Sequence, residues 1–199
     1  MRLIDVFVII SLAIFYILFI GRTVLLYKKG IKVWVIGTST KKLLEIILEN
    51  ILLPFLLLSS FIFIIITALQ INLPVMISAY LININWIKYV GIILCYAGLV
   101  IFLFALISFG KAWRIGIDEE NSNELITFGM FKFSRNPIFL FMNLYYIGIM
   151  LIYPNIIFIL MATGTIIGIH FQILREEKFL ENKFGEKYNE YRKNTRRYI

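Results

Sequence analysis

Polar and apolar positions along this chain separate into long blocks. Five apolar stretches emerge: Leu3–Ile20, Ile46–Leu69, Trp86–Phe109, Pro137–Tyr153 and Asn155–Leu174. Crossing the hydrocarbon of a bilayer takes about 20 residues at a rise of about 1.5 Å each, so the blocks predict five transmembrane helices. Pro54 is expected to kink the second, which neighbouring helices can accommodate by satisfying the freed carbonyl. The last two meet at Tyr153-Pro154 and are tight for two full crossings, which predicts a short hairpin. The first stretch is too long for the apolar region of a signal peptide, and Gly21-Arg22-Thr23 is not a small-residue cleavage site. It is expected to be a retained span.

The intervening segments are polar. Gln70 to Asn85 carries no Lys, Arg, Asp or Glu, Gly110–Asn136 is a polar loop, and the tail Arg175–Ile199 is charged. In the tail, Leu180, Phe184, Tyr188 and Tyr191 repeat at helical spacing. They predict a cytoplasmic amphipathic helix lying on the membrane surface, weakened by about 1 kcal/mol at Gly185. No repeat or linker divides the chain. The expected fold is therefore an all-α integral membrane protein of one domain, residues 1–199, with two N-terminal spans in 1–85.

Composition supports this reading. Of the 199 residues 60% are hydrophobic and 16% charged, with mean hydropathy +0.86; soluble domains hold roughly 45–50% apolar and about 25% charged residues. The net charge of +8 could suggest nucleic acid, but the basic residues occupy the loops between apolar runs, and no nucleic-acid partner is expected. Arg22, Lys28, Lys29, Lys32, Lys41 and Lys42 follow the first stretch; Lys111, Arg114, Lys132 and Arg135 follow the third; eight more fill the tail. Only Arg2 and Lys88 fall opposite. The positive-inside rule then predicts an outside N-terminus and a cytoplasmic C-terminus. The Ile-, Asn- and Lys-rich composition hints at a microbial source, hence a plasma membrane. The single Cys95 lies inside an apolar run and is read as a small buried residue.

Candidate chemistry clusters at one end. Asn136-Pro137 has the form of a helix start, with Asn as N-cap and Pro at the first position. Such a start offers free N–H groups to an anion, and Arg135 adds a bidentate donor; an ordinary cap with a snorkelling arginine is the plainer reading. Glu176-Glu177 lies near a helix C-terminus, where two carboxylates call for a cation. Lys178 or Lys183 could supply it, or else a ligand ammonium or sulfonium. His170, two turns before Glu177, is either a packed hydrogen-bonded residue or a functional one. Gly164 and Gly168 have a helix-packing spacing, and Asn143 and Gln172 are candidate interhelical glue. Asp118, Glu119, Glu120 and Glu124 read as a solvated acidic patch, and no metal-ligand cluster is evident.

The run Glu124-Leu125-Ile126-Thr127-x-Gly129-x-Phe131-x-x-Ser134-Arg135-Asn136-Pro137-Ile138-Phe139 resembles the L-V-T-x-G-x-Y-x-x-x-R-H-P-x-Y signature of the isoprenylcysteine carboxyl methyltransferase family. Glu176-Glu177 through Phe184-Gly185-x-x-Tyr188-x-x-Tyr191 resembles that family's E-E…F-G-x-E-Y-x-x-Y tail. The likeness covers residues 86–199, which it marks as a cofactor-binding catalytic core; phospholipid N-methyltransferases and membrane sterol reductases share looser versions. It implies S-adenosylmethionine as cofactor in a cytoplasmic-side pocket, and a lipid or lipidated acceptor entering from the bilayer. Cofactor contacts would fall on Glu124, Leu125, Ile126, Phe131, Asn136, Pro137, Ile138, Phe139 and Glu176. Arg135, His170 and Glu177 would be the catalytic candidates. Glu176 would pair with the ligand ammonium, the Asn136–Pro137 start with its carboxylate, and Phe131 and Phe139 with adenine or sulfonium.

Three positions depart from the pattern. Asn136 replaces a histidine, Phe139 a tyrosine, and Gln172 the arginine that holds a substrate carboxylate, with Arg175 three positions later. On this reading Glu176→Gln or Arg135→Ala removes cofactor binding and leaves the protein folded. An NADPH-dependent membrane reductase, with Lys132, Arg196 and Arg197 for the 2′-phosphate, is a second reading. A non-enzymatic transporter or scaffold is a third; it calls for polar residues along several spans, whereas here they cluster at one end.

Overall fold

The computed structural model describes residues 2–31, 33, 53–71, 79–113 and 124–199. Within them every regular element is helical: α1 Leu3–Tyr27, α2 Leu53–Ala68, α3 Asn85–Phe109, α4 Pro137–Ile152, α5 Ile156–Phe184 and α6 Glu186–Asn194. Single 3-10 turns cover Gly110–Ala112 and Gly129–Lys132. Residues 46–52, on which a bend at Pro54 would be read, lie outside the described residues, as do Lys32, Lys41, Lys42, Arg114, Asp118, Glu119 and Glu120.

Among the described residues, three helices are long and apolar enough to cross a membrane: α1, α3 with its trailing turn, and α5. Three of the five expected spans thus meet that length within the described residues. Pro137 at its start and Tyr153-Pro154 after its end hold α4 to 16 residues, about 24 Å of helix against a hydrocarbon core of about 30 Å. The described part of α2 is also 16 residues. The hairpin itself forms where expected: Asn155 caps α5, its Oδ1 accepting from Phe158 N at 2.9 Å.

The tightest helix pair is α3 with α4, and glycines allow it. A Cβ on Gly91 would lie 2.5 Å from the Gly148 carbonyl oxygen, and one on Gly148 would lie 2.6 Å from Cys95 Sγ. The small residues Gly91, Cys95 and Gly98 fall at i, i+4 and i+7 on one face of α3, the spacing through which helix backbones approach in hydrocarbon. Gly164 and Gly168, the pair singled out by spacing, are only half-buried. α1 packs on α3 through aromatic rings: Phe15 has Phe61, Phe102 and Phe141 at centroid distances of 5.3, 5.4 and 5.6 Å. Cys95 is buried, as read from the sequence.

The antiparallel arrangement divides the charges between two ends. At one, the fully buried Asp5 accepts from Arg2 N (2.8 Å), Arg2 Nη2 (3.0 Å), Tyr153 Oη (3.0 Å) and Gln70 Nε2 (3.2 Å). Lys88 lies nearby, its Nζ 2.6 Å from Asn83 Oδ1 and 5.4 Å from the centre of the Tyr80 ring, which Arg2 also faces. At the other end Arg22 donates to the Gly110 carbonyl, Trp113 packs on Phe19, and Arg135 and the tail assemble. Arg2 and Lys88 are therefore segregated from the remaining described basic residues, as the loop charges predict.

The tail departs from expectation. Instead of one surface helix over Arg175–Ile199, α5 continues unbroken to Phe184. Gly185, at φ +52°, then turns the chain into α6, a left-handed backbone that glycine adopts without a Cβ penalty. The apolar stripe covers protein: Leu180, Phe184, Tyr188 and Tyr191 close around Phe131, Leu125 and Ile126 in a second small core. An aromatic side chain from the preceding loop meets that stripe, so its face is buried there.

Candidate functional site

The loop before α4 is fixed from both sides. Gly129 takes φ +61° directly against Ser108 at the end of α3, where a side chain would collide. Ser108 Oγ accepts from Met130 N at 3.0 Å and donates to the Phe104 carbonyl at 2.8 Å. Phe131 then plugs the second core, edge-on to Phe109 at 4.7 Å, and its carbonyl accepts from Tyr191 Oη at 2.6 Å. With loop and tail locked in this way, Ser134, Arg135 and Asn136 arrive beside α5.

There Arg135 meets Glu177. The Arg135 Nη2 to Glu177 Oε1 distance is 2.9 Å and Nε lies 3.2 Å from the same oxygen. Arg197 approaches from the tail and binds the carboxylate through both oxygens, Nε to Oε1 at 3.1 Å and Nη2 to Oε2 at 2.9 Å. Asn136 Nδ2 donates to Oε1 at 3.3 Å. Both Arg135 and Glu177 are largely buried, with side chains 8% and 7% exposed, and Arg197 is 30% exposed. Two guanidinium groups on one carboxylate leave the cluster with a net positive charge. The hydrogen bonds it donates to Glu177 raise the Arg197 guanidinium above its ordinary value.

The backbone of the tail completes the corner. Arg135 N donates to the Arg196 carbonyl at 3.0 Å, and Arg135 Nη1 to the Arg192 and Thr195 carbonyls at 3.0 and 3.1 Å. The Arg197 carbonyl accepts from Ser134 Oγ at 3.2 Å and from Asn136 Nδ2 at 3.3 Å. Tyr198 Oη lies 2.9 Å from His170 Nδ1. Tyr188 is fully buried in α6, and its hydroxyl has no hydrogen-bond partner among the described residues. Burial pushes this phenol up to about 12; the negative Glu177 adds to the shift, and Arg135, Arg192 and Arg197 oppose it.

Several expected roles change in this geometry. α4 does begin at Pro137 with Asn136 as N-cap, but the Asn136 side chain makes no cap hydrogen bond. It is turned to Glu177 and the Arg197 carbonyl, so the first turn of α4 has no side-chain cap. Arg135 is no surface donor; it is one of the most heavily hydrogen-bonded groups at this end, so Arg135→Ala cannot be expected to leave the fold untouched. The carboxylate that meets the corner is Glu177, with Glu176 half-buried beside it. His170 contacts Tyr198, a pairing that spacing along α5 could not reveal.

The remaining candidates divide by location. Phe131, Leu125 and Ile126 belong to the second core, Ile138 packs on the main core, Pro137 is buried and Phe139 half-buried. Glu124 and Leu125 also wall an open cleft of about 700 Å³, together with Thr127, Lys132, Phe184, Lys187, Glu190 and Tyr191. Arg135, Asn136 and Glu177 are not among its walls. The structure thus brings Arg135, Asn136 and Glu177 together, while Glu124 lines the cleft, whose walls also include Thr195. Arg197 enters the sequence reading only as a phosphate candidate for NADPH, and Tyr198 is not singled out there; nothing in tail composition marks either as a partner of Glu177 or His170. Among the described residues no group of three or more His, Cys, Asp or Glu could hold a metal ion.

Known families give this geometry a context. Residues 86–187, from the first turn of α3 into α6, match the phospholipid methyltransferase family. A search of curated proteins returns no match. The matched span contains the Gly129 loop, the Arg135–Asn136–Pro137 corner and Glu177, and it stops before Arg197. Together with the apolar helices it marks a multi-pass membrane protein of the methyltransferase kind, and the chain belongs to the phospholipid methyltransferase family.

Proposed function

We propose that this protein transfers a methyl group from S-adenosylmethionine to a lipophilic acceptor presented by the bilayer, in the manner of the isoprenylcysteine carboxyl methyltransferases. The observation that carries the proposal is the convergence of Arg135, Asn136 and Glu177, from two motifs some forty positions apart, on one buried corner beside the uncapped start of α4. An α-amino acid group needs a carboxylate for its ammonium and N–H donors for its own carboxylate. Glu176 and Glu177 offer the first; Asn136 and the first turn of α4 offer the second. The donor set therefore fits the methionine end of the cofactor, and half-buried Phe139 can lie against the sulfonium.

Bound there, S-adenosylmethionine would supply an electrophilic methyl, which the acceptor would take as the carbon–sulfur bond broke, its electron pair staying on sulfur. The protein's part is alignment, with reacting atoms held about 3–3.5 Å apart and water excluded. Glu177 holds two arginines, so in this reading it anchors charge. An acceptor that must lose a proton would draw on His170, whose Nδ1 is engaged by Tyr198 and whose Nε2 remains for that transfer. Gln172, standing where a carboxylate-binding arginine would be, weakens the case for a carboxylate acceptor. We place the site at the cytoplasmic face of a plasma membrane with the N-terminus outside, as the loop charges indicate.

The test is calorimetric titration of purified protein with S-adenosylmethionine and with NADPH, followed by mass spectrometry of a membrane lipid extract given isotopically labelled methyl donor. Binding of S-adenosylmethionine alone and a labelled lipid are expected. NADPH binding, or no label in any lipid, would overturn the assignment.

A further inference from the structure

The corner that should receive an amino acid group already holds one in disguise. Arg197 presents a guanidinium to Glu177, through 3.1 and 2.9 Å hydrogen bonds, and its own carbonyl oxygen to Asn136 Nδ2 at 3.3 Å. A cation on the carboxylate and an acceptor oxygen on the asparagine amide are what the ammonium and carboxylate of a methionine-type ligand would offer. The segment from Thr195 to Tyr198 is laid across the corner by the backbone bonds to Arg135 and Ser134 and by the Tyr198–His170 contact. Arg197 keeps 30% of its side chain in solvent, whereas Glu177 keeps 7%. The partner able to leave is the arginine.

We propose that the segment Thr195–Tyr198 is an internal strap that mimics the amino acid end of the cofactor and must lift from Glu177 and Asn136 when the cofactor binds. This rests on the methyltransferase reading of the site. Its physical basis is competition: the ligand binds only the fraction of molecules with the strap released, and apparent affinity falls by that fraction. The net positive charge of the cluster works in the same direction. A ligand ammonium joining Glu177 while both arginines stay would make three cations on one carboxylate, and release of Arg197 restores two. Arg135, only 8% exposed and also bound to the Arg192 carbonyl of α6, outside the strap, stays in place.

Two measurements test the strap on the full-length protein in detergent or nanodiscs. The first is titration of wild type, Arg197→Ala and Arg197→Lys with S-adenosylhomocysteine, which keeps the amino acid end and transfers no methyl. Arg197→Ala is expected to bind about tenfold more tightly than wild type, with Arg197→Lys between them. The second needs no variant: limited trypsin digestion of wild type, read by mass spectrometry as cleavage after Arg196 and Arg197, should be faster with saturating ligand. Weaker or unchanged binding by Arg197→Ala, or ligand protection of those two bonds, would show that Arg197 belongs to the closed site and overturn the strap. If folded wild type and Arg197→Ala both ignore the ligand, the cofactor assignment fails and the strap with it.

Discussion

Glu177 shows how one side chain can be both structural and chemical. It is buried, and its carboxylate is tolerated there because Arg135, Arg197 and Asn136 saturate it. Removing one partner of a buried ion pair leaves an uncompensated charge, at a cost of about 3–5 kcal/mol. Arg135→Ala should therefore lower the melting temperature of detergent-solubilised protein sharply, whereas Glu176→Gln should change ligand affinity with a much smaller thermal shift. Equal thermal shifts for the two would contradict the assignment of the structural role to the Arg135–Glu177 pair. Tyr188 gives a pH signature. Its folded-state phenol is raised to about 12, above the ordinary value near 10. The folded protein holds the proton that the unfolded chain releases, so the Tyr188 contribution to stability is complete below pH about 10 and drains away between about 10 and 12. Tyr188→Phe, which keeps the ring and removes the titrating hydroxyl, should flatten that part of the stability–pH curve measured by thermal melts.

Among the elements, the α3–α4 pair decides where the site can be. α4 is short, and its start is fixed by Pro137; packing Gly148 against Gly91 and Cys95 sets its height along α3. That height, with the Ser108–Gly129 clasp, brings Asn136 level with Glu177. Gly148→Leu places a branched side chain where a Cβ already meets backbone, and overpacking of this kind typically costs about 1–3 kcal/mol, occasionally more. The expected result is a lower melting temperature together with loss of ligand binding, while Gly164→Ala, on the half-buried face of α5, should be nearly silent in both. The apolar blocks made the helices legible. They did not reveal that the last span continues past Leu174 as far as Phe184, because hydropathy falls there while helix propensity does not. Nor did periodicity tell whether the Leu180–Tyr191 stripe would meet lipid or protein; the ring of Phe131 settles that by filling it.

At the scale of the whole molecule, charge is polarised. One end gathers Arg2, Asp5, Tyr80 and Lys88, and the other gathers the site. If the loop charges set orientation, single-cysteine reporters should label from opposite sides of the membrane. Ile82 and Asn182 are both exposed, one at each end. Ile82→Cys is expected to react with a membrane-impermeant maleimide in intact cells, and Asn182→Cys only after lysis; the buried Cys95 gives little background. Reversed accessibility would invert the proposed topology and move the site to the outer face. Between the two ends, Phe15, Phe102, Phe141 and their neighbours pack as an aromatic part of the core.

What the sequence determined by itself is the class and the neighbourhood. Runs of apolar residues can be stable only as helices in hydrocarbon, where every backbone donor needs an internal acceptor. The Gly129 loop, the Arg135–Asn136–Pro137 step and the paired glutamates could be read as one candidate site because together they resemble the methyltransferase motifs. The tertiary structure decided which glutamate meets the arginine, that Asn136 faces a carboxylate and not its own helix, and that Arg197 and Tyr198 cover the corner. Those outcomes depend on helix length, on the height at which α4 sits against α3, and on the turn at Gly185. Local pattern carries none of these, because each is set by contacts between residues far apart in the chain.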